Sequence, residues 1–66
     1  MSRSPHDRIR MKALTAIVGL SKSEIHRRVH ARRFPAQVKE SPKLAYWLWG
    51  DVELWLRLGE DAWSLL

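Results

Sequence analysis

Basic side chains are concentrated in the stretch KSEIHRRVHARR, residues 22–33. The basic residues of this stretch are Lys22, Arg27, Arg28, Arg32 and Arg33. Lysine and arginine neutralise phosphate charge, and an arginine guanidinium can donate two parallel hydrogen bonds to the edge of a guanine. The pattern therefore favours the binding of an anionic polymer.

The charge distribution along the whole chain favours the same chemistry. Residues 1–33 carry nine basic and two acidic side chains, a net charge of +7, whereas residues 34–66 carry three and five, a net charge of −2. This asymmetry indicates an anionic partner for the first half, with nucleic acid the leading candidate and anionic lipid the next. The alternative interpretation is a solvated basic face.

Catalytic and metal-binding chemistry has little support in the sequence. It has no cysteine, no carboxylate pair at a useful spacing and no glycine-rich loop for a phosphate. Ser23 and His26 could mimic a nucleophile and its base, but a chain of 66 residues offers no shaped site around them. His26 and His30 are four residues apart, yet no cysteine or carboxylate cluster would complete a metal site. We expect no enzyme, no metal and no cofactor.

The length and composition indicate one small domain. A chain of 66 residues closes about one core, and a hydrophobic content of 45% is enough for folding. The longest nearly uncharged run, residues 44–50, is far shorter than the ~20 apolar residues of a membrane span. The N-terminus lacks an apolar signal core, and the absence of cysteine suits a reducing compartment. We expect a cytoplasmic protein with no membrane partner.

The basic stretch is predicted to form a helix with one polar face. Ser21 and Glu24, three residues apart, form a capping box, so the helix is expected to begin at Lys22. Ile25 and Val29 lie on one side and belong to a core. The residues of the opposite side are Ser23, Arg27 and His30, with His26 at their edge. One face is therefore apolar and the other basic and polar.

The helix is expected to end near Arg33. Phe34 precedes Pro35, and a residue before proline is disfavoured in helical geometry. The chain before the helix has two predicted parts. Residues 1–8 have no apolar period and are predicted to be a flexible basic arm.

A short strand at residues 9–11 and a short helix are predicted between the arm and the basic helix. The apolar period of the short helix is formed by Leu14, Ile17 and Val18. Gly19 ends it. In the turn Gly19-Leu20-Ser21, glycine supplies an unusual backbone angle, leucine fills the core and serine caps the next helix.

The second half of the chain is predicted to form a hairpin and a third helix. Residues 36–39 and 44–47 flank the short segment ESPK, which favours a turn. Gly50 and Asp51 open a third helix, which Gly59 ends. The predicted inner stripe of this helix is Val52, Trp55 and Leu56. Residues 60–66 are left as an apolar C-terminal tail.

The order helix, tight turn, helix, hairpin, helix is that of a winged helix-turn-helix domain, in which the second helix enters the major groove of DNA. The fold class is therefore mainly α with a small β-hairpin, and the domain is predicted to span residues 9–59. The most direct interpretation of ten apolar residues is a core: Leu14, Ile17, Leu20, Ile25, Val29, Phe34, Val38, Trp47, Val52 and Trp55.

The sequence also resembles a known family, the AlpA-type prophage regulators, which are small relatives of phage excisionases and of MerR-like DNA-binding domains. The resemblance covers roughly residues 9–58 and rests on GLSKSEIHR (19–27), RRFPAQVK (32–39), and Trp47 followed by DVELW (51–55). It implies a DNA-binding regulator of a prophage or similar mobile element, acting in the nucleoid of a bacterial host. Family members act as transcription regulators, as excisionases that bend attachment-site DNA, or as both.

Several positions depart from the family pattern. Glu24 and His26 stand where the family usually has threonine and tyrosine. Arg32 replaces a frequent glycine at the end of the second helix. Ser41 and Lys43 replace a glycine and an arginine of the hairpin, so a phosphate contact at Lys43 keeps its charge but loses bidentate geometry.

The predicted DNA-contacting residues fall into three groups. Base edges are assigned to Lys22, Ser23 and Arg27, and the polar histidines His26 and His30 face DNA or solvent. Arg28, Arg32 and Arg33 are better suited to phosphate. Lys39 and Lys43 flank the hairpin and would make it the wing. For the residues assigned to base edges and for the two lysines, the alternative is an ordinary solvated surface.

More apolar residues are present than one small core needs. They are Tyr46, Trp49, Leu54, Leu58, Trp63, Leu65 and Leu66. Unplaced hydrophobic residues often mark an association surface, so we expect self-association on DNA or a protein partner such as an integrase. A tail folded over the third helix is the alternative. The competing function is a protein-interaction module, an anti-repressor or an inhibitor of a host factor; a membrane-surface peptide is a third hypothesis.

Overall fold

The computed structural model of the chain describes residues 3–66, and the first two residues of the predicted arm lie outside this range. Its elements in chain order are β1 (Arg8–Ile9), α1 (Met11–Val18), α2 (Lys22–His30), β2 (Val38–Ser41), β3 (Leu44–Leu48), α3 (Trp49–Leu58) and α4 (Glu60–Ser64). The order confirms a winged helix-turn-helix.

The turn between α1 and α2 forms as its sequence predicts. Gly19 has a left-handed φ of 73°, and its N–H donates to the carbonyl of Thr15, which ends α1. The Oγ of Ser21 accepts a hydrogen bond of 3.2 Å from the N–H of Glu24, so α2 begins at Lys22. The capping serine and the glycine therefore fix the angle at which the chain passes from one helix to the next.

The predicted end of α2 near Arg33 is wrong, because the helix ends at His30. Arg32 takes a left-handed φ of 60°. The N–H of Arg33 donates to the carbonyl of Arg28 at 2.8 Å, and the N–H of Arg32 to that of Val29 at 3.1 Å. This pair of hydrogen bonds is a Schellman motif, whose left-handed position usually holds glycine. The helix is thus stopped by its own C-terminal turn, before the proline acts.

Three antiparallel strands form the sheet, in the order β1-β3-β2. Ile9 pairs with Trp47, and Val38 pairs with Tyr46. The predicted hairpin is present, but its first strand starts at Val38 and not at residue 36. The predicted turn ESPK contracts to two residues, since β2 continues to Ser41 through a register irregularity. A bulge absorbs the extra residue and so keeps the side-chain faces of the strands in register.

Seven residues from the helices, the sheet and the segment after α2 form the buried core: Ile9, Leu14, Ile25, Phe34, Trp47, Val52 and Trp55. All except Ile9 were predicted. Ile17, Leu20 and Val29 are half-buried against this cluster, and Val38 is also half-buried. Phe34 stands edge-on to both core tryptophans, with ring centroids 6.4 Å from Trp47 and 4.8 Å from Trp55.

Two core assignments are wrong. Leu56 of the predicted inner stripe is 44% exposed, whereas Val52 and Trp55 of the same stripe are buried. Tyr46 was counted as surplus apolar surface but is only 5% exposed. It lies on the sheet face opposite Trp47, since successive residues of a strand point to opposite sides.

The segment after α2 is fixed by the two core indoles. Trp47 Nε1 donates to the carbonyl of Pro35, and Trp55 Nε1 donates to that of Arg33, both at 2.8 Å. These hydrogen bonds satisfy carbonyls that no helix or strand uses. The position of Arg33 relative to α3 is therefore set by backbone as well as by side-chain contacts.

The N-terminal segment caps α3. That helix starts at Trp49, one residue before the predicted Gly50, and has no side-chain cap. Instead, the N–H groups of Trp49 and Gly50 donate to the carbonyls of Asp7 and Pro5 at 2.9 and 3.0 Å. A Cβ on Gly50 would come within 3.1 Å of the Pro5 ring. Residues 4–7 thus form a turn against α3, and Arg8 of the predicted arm is already in β1.

The tail beyond Gly59 is helical as far as Ser64. Gly59, with a φ of 88°, separates α3 from α4, as the sequence predicts for the end of α3. Trp63 is half-buried against the core cluster, whereas Leu65 and Leu66 are exposed. This part of the chain therefore folds back toward the core through Trp63.

Candidate nucleic-acid interface

The outward surface of α2, here called the outer face, consists of Lys22, Ser23, Arg27 and His30. All four residues are exposed. Ile25, on the opposite side of the same helix, is completely buried. His26 is half-buried at the edge of the outer face, as its helical position predicts. The buried side holds α2 in the domain and leaves the outer face free to enter a groove.

Arg27 is the most exposed arginine of α2, and it has one carboxylate partner. Its Nη2 lies 2.5 Å from Oε2 of Glu24, one turn earlier on the same helix. The pairing raises the pKa of Arg27 and lowers that of Glu24, in each case mainly through this hydrogen bond. With its side chain 70% exposed, Arg27 can exchange this partner for a base or a phosphate at little cost.

The remaining cationic side chains on the outer face and the wing differ from Arg27 in their ion pairing. Among residues 3–66, the side chains of Lys22, Lys39 and Lys43 take part in no ion pair within 4.0 Å. Lys39 lies in β2, and Lys43 lies in the two-residue turn of the hairpin, both exposed. Arg32 is exposed at the left-handed position after α2. These charges are open to an anionic partner.

Arg28 and Arg33 are not open in this way. They belong to the α2–α4 charge cluster, defined as Glu24, Arg28, Arg33, Glu60 and Asp61. Arg28 contacts Glu60 through Nη1 and lies 3.4 Å from Glu24. Arg33 donates from Nε to Glu60 at 2.8 Å and also contacts Asp61. Arg28 and Arg33, both predicted to contact phosphate, are therefore engaged by acidic side chains of the first turn of α4.

The electrostatics of the cluster follow from this geometry. Hydrogen bonds from Arg33 and then Arg28 lower the pKa of the Glu60 carboxyl. The bond to Glu60, followed by that to Asp61, raises the pKa of Arg33. The Nε of Arg28 is buried and has no hydrogen-bond partner. An unsatisfied buried donor costs free energy, so the cluster is well paired in charge but incompletely satisfied in hydrogen bonds.

Sequence reasoning missed these acidic partners because they are about 30 residues from α2 along the chain. Charge periodicity detects pairs three or four residues apart on one helix, such as Glu24 and Arg28. Glu60 and Asp61 reach α2 only because Gly59 turns the chain back. The one available signal was the acidic pair directly after a helix-ending glycine in an otherwise basic protein.

A second group of polar residues lies on the sheet face opposite the core. The guanidinium of Arg8 lies 4.6 Å from the centroid of the Tyr46 ring and 3.3 Å from Glu40. The Tyr46 hydroxyl donates to Glu40 at 2.7 Å, which raises the pKa of the phenol. The arrangement ties β1, β3 and β2 together across their outer surface. Strand alternation next to Trp47 could have placed Tyr46 on this face.

No group of three or more His, Cys, Asp or Glu side chains in residues 3–66 is arranged to hold a metal ion. Within the same range, none of the helices has the length and hydropathy that crossing a bilayer requires. The candidate site consists of the exposed basic surface of α2 and the exposed lysines of the β2–β3 hairpin.

The comparison with protein families identifies one match. The family described as Prophage CP4-57 regulatory protein (AlpA) matches residues 7–58, which span the domain from β1 to the end of α3. The chain belongs to the AlpA family. Neither curated proteins nor solved structures gave a match.

Membership of the AlpA family confirms the resemblance seen in the sequence and gives the winged helix-turn-helix its biological setting. The AlpA family is described as one of prophage regulatory proteins, which agrees with a DNA-binding regulator. The matched range includes the outer face of α2 and the hairpin but ends before Glu60. Glu60 and Asp61 of the α2–α4 charge cluster therefore lie outside the matched range.

Proposed function

We propose that the chain is a site-specific regulator of prophage DNA that inserts α2 into the major groove and rests the β2–β3 wing on the DNA backbone. One observation carries this proposal. The outer face of α2 exposes Lys22, Ser23 and Arg27 while Ile25, on the other side of the helix, is completely buried. A rigid helix with a buried anchor and a free basic surface is what major-groove recognition requires.

The residues of the outer face have separate roles in this proposal. Arg27 and Lys22 read acceptors on base edges, with guanine the preferred partner of arginine, and Ser23 adds a short donor or acceptor. His30, within the outer face, and His26, at its edge, face the same groove and add contacts to DNA. Each such contact discriminates between base pairs, because donors and acceptors in the major groove differ for every pair.

The backbone contacts come from the surroundings of α2. Lys39 and Lys43 place two positive charges on the wing. Arg28 lies in the last turn of α2, and Arg32 and Arg33 follow its end. Contacts to phosphate fix the register of a protein on the duplex without reading its sequence. In this arrangement the wing and the end of α2 hold the two flanks of the groove that the outer face reads.

The regulatory role has two forms that share this interface. The protein acts at promoters as a transcription regulator, at attachment sites as an excisionase that assists an integrase, or at both. A single module buries only about 600–1,000 Å² on DNA. Several copies therefore assemble side by side on one site, in the bacterial cytoplasm and at the nucleoid.

A mobility shift tests the proposal directly. The DNA flanking the gene of this protein, including any integrase promoter and attachment site, is titrated against an unrelated duplex of equal length at about 0.15 M salt. Selective and stepwise retardation is the expected result. Equal retardation of both duplexes, or none, would remove the recognition-helix assignment.

The variant Arg27→Ala identifies the reading residue. It is expected to reduce the preference for the natural site by about 1–3 kcal/mol, because a base-edge contact is lost. Arg57→Ala is the matched control, since Arg57 on α3 is also 70% exposed and also paired with a glutamate on its own helix. Equal losses in the two variants would mean that the effect comes from the loss of one positive charge and not from a contact with a base.

The second candidate function is a protein-interaction module, and the exposed leucines favour it. Leu54 and Leu58 lie one turn apart on α3, and Leu65 and Leu66 follow α4; all four are exposed. This function predicts that replacement of Leu54 and Leu58 by glutamine abolishes binding to a partner while Arg27→Ala leaves that binding unchanged. Retained selectivity for DNA in the leucine variant would assign the two surfaces to different tasks.

A further inference from the structure

Arg28 and Arg33 hold the carboxylate of Glu60 between them. Arg28 reaches Oε1 through Nη1, and Arg33 donates from Nε to Oε2 at 2.8 Å. Two guanidinium groups that converge on the oxygens of one anion form the arrangement that also binds a phosphate. The Glu60 carboxylate therefore stands in chemically for a DNA phosphate group.

The helix that supplies this carboxylate is weakly held. α4 has five residues, no side-chain cap and no fully buried residue. Asp61, which completes the contact to Arg33, has a side chain that is 94% exposed. Apart from the charge cluster, the contact that ties α4 to the core is the half-buried Trp63. A short helix with so little buried surface moves at low cost.

The pairing of Arg28 with Glu60 and Glu24 also leaves one donor of Arg28 without a partner. Its Nε is buried and unsatisfied, although Nη1 and Nη2 are engaged with Glu60 and Glu24. The pairing with Glu60 therefore does not fully satisfy this guanidinium. A phosphodiester of DNA, like a carboxylate, offers two charged oxygens to a guanidinium.

We propose that Glu60 and Asp61 act as an internal competitor for DNA phosphate, occupying Arg28 and Arg33 in the free protein until the DNA backbone displaces them. The inference rests on the proposed function, because the displacing anion is the DNA that α2 binds. This competition weakens binding to the natural site, and it weakens non-specific binding to other DNA even more. Phosphate contacts make up nearly all of the non-specific binding energy.

The test compares two variants with equal net charge. Glu60→Gln with Asp61→Asn removes two charges from the cluster, and Glu53→Gln with Asp51→Asn removes two from the exposed side of α3. Affinity for the natural site and for an unrelated duplex is measured at several salt concentrations. The cluster variant is expected to bind the unrelated duplex about fivefold or more tightly than the α3 variant, because only it frees the two arginines.

A third substitution shows whether the gain acts through the arginines. Adding Arg33→Gln to the cluster variant is expected to reduce the gain, because one of the two freed phosphate ligands is removed. If the cluster variant fails to fold, Asp61→Asn against Asp51→Asn gives the same comparison at exposed positions, with a smaller gain expected.

The outcomes separate this inference from the proposed function. Equal gains in the cluster and α3 variants, with selective binding retained, would overturn the internal competitor and leave the DNA reader standing. A gain of undiminished size after Arg33→Gln would also overturn it. Absence of binding by the unmodified protein and by every variant would overturn the proposed function and this inference with it.

Discussion

Two sides of α2 carry arginines in opposite surroundings. On the outer face, Arg27 extends into solvent with one partner on its own helix. On the side toward α4, Arg28 is half-buried and shares Glu60 with Arg33. Neighbouring residues of identical chemistry thus differ in availability, because a helix rotates successive side chains by about 100°. The position of an arginine in a basic stretch does not by itself make it a ligand for DNA.

Both sides depend on the burial of Ile25, and its removal should have the largest effect. Ile25→Ala deletes a completely buried side chain between the helices. We expect a loss of about 2–5 kcal/mol in the free energy of unfolding, from lost apolar burial and the cavity left behind. Denaturant unfolding measures it. Leu54→Ala, at an exposed position of α3, should cost less than about 1 kcal/mol.

The start of the outer face depends on the Ser21 cap. Ser21→Ala removes the hydrogen bond to the N–H of Glu24, and we expect a loss of about 1 kcal/mol of stability. Ser64→Ala is the comparison, because the Ser64 hydroxyl bonds only to the carbonyl of Asp61 at the chain end. A similar loss in both variants would show that the cap of α2 has no special weight.

A substitution in the C-terminal turn of α2 is expected to raise stability, in contrast to Ile25→Ala and Ser21→Ala. Arg32 has a φ of 60°, where glycine is favoured, so Arg32→Gly should raise stability by about 0.5–1 kcal/mol. Gly19→Ala places a side chain at a φ of 73° with no atom within 4 Å to obstruct it. It should lower stability by about 1 kcal/mol through the backbone alone. Thermal unfolding of both variants checks the two signs.

The smallest expected effect is the pH dependence of the charge cluster. Because its arginine partners lower the pKa of Glu60 below the ordinary 4.5, its ionised form stabilises the folded state. This contribution is fully present above the unfolded-state pKa and is lost as the pH falls through the lower folded-state value. Glu60→Gln should therefore destabilise the protein at pH 7, and by progressively less as the pH falls below the ordinary pKa of 4.5. A pH-independent difference between the two proteins would contradict the ion pairing.

Much of the helix-turn-helix could be predicted from local residues. Gly19, Ser21 and Glu24 fix the turn and the start of α2 through hydrogen bonds within a few residues. Apolar periodicity identified six of the seven core residues, since burial follows the faces of the helices and strands. The end of α2 was misplaced because Arg32 adopts an angle that its residue type does not favour.

The sequence predicted which residues make up the candidate site but not which of them are already paired with carboxylates. The sequence determined which cations lie on α2 and the wing, and their roles toward DNA stay predictions. It also determined the acidic pair after Gly59. The tertiary structure alone decided that Glu60 meets Arg28 and Arg33, and that Pro5 and Asp7 cap α3. These contacts join segments that are distant along the chain, so they depend on how the shared core brings the segments together and not on any local pattern.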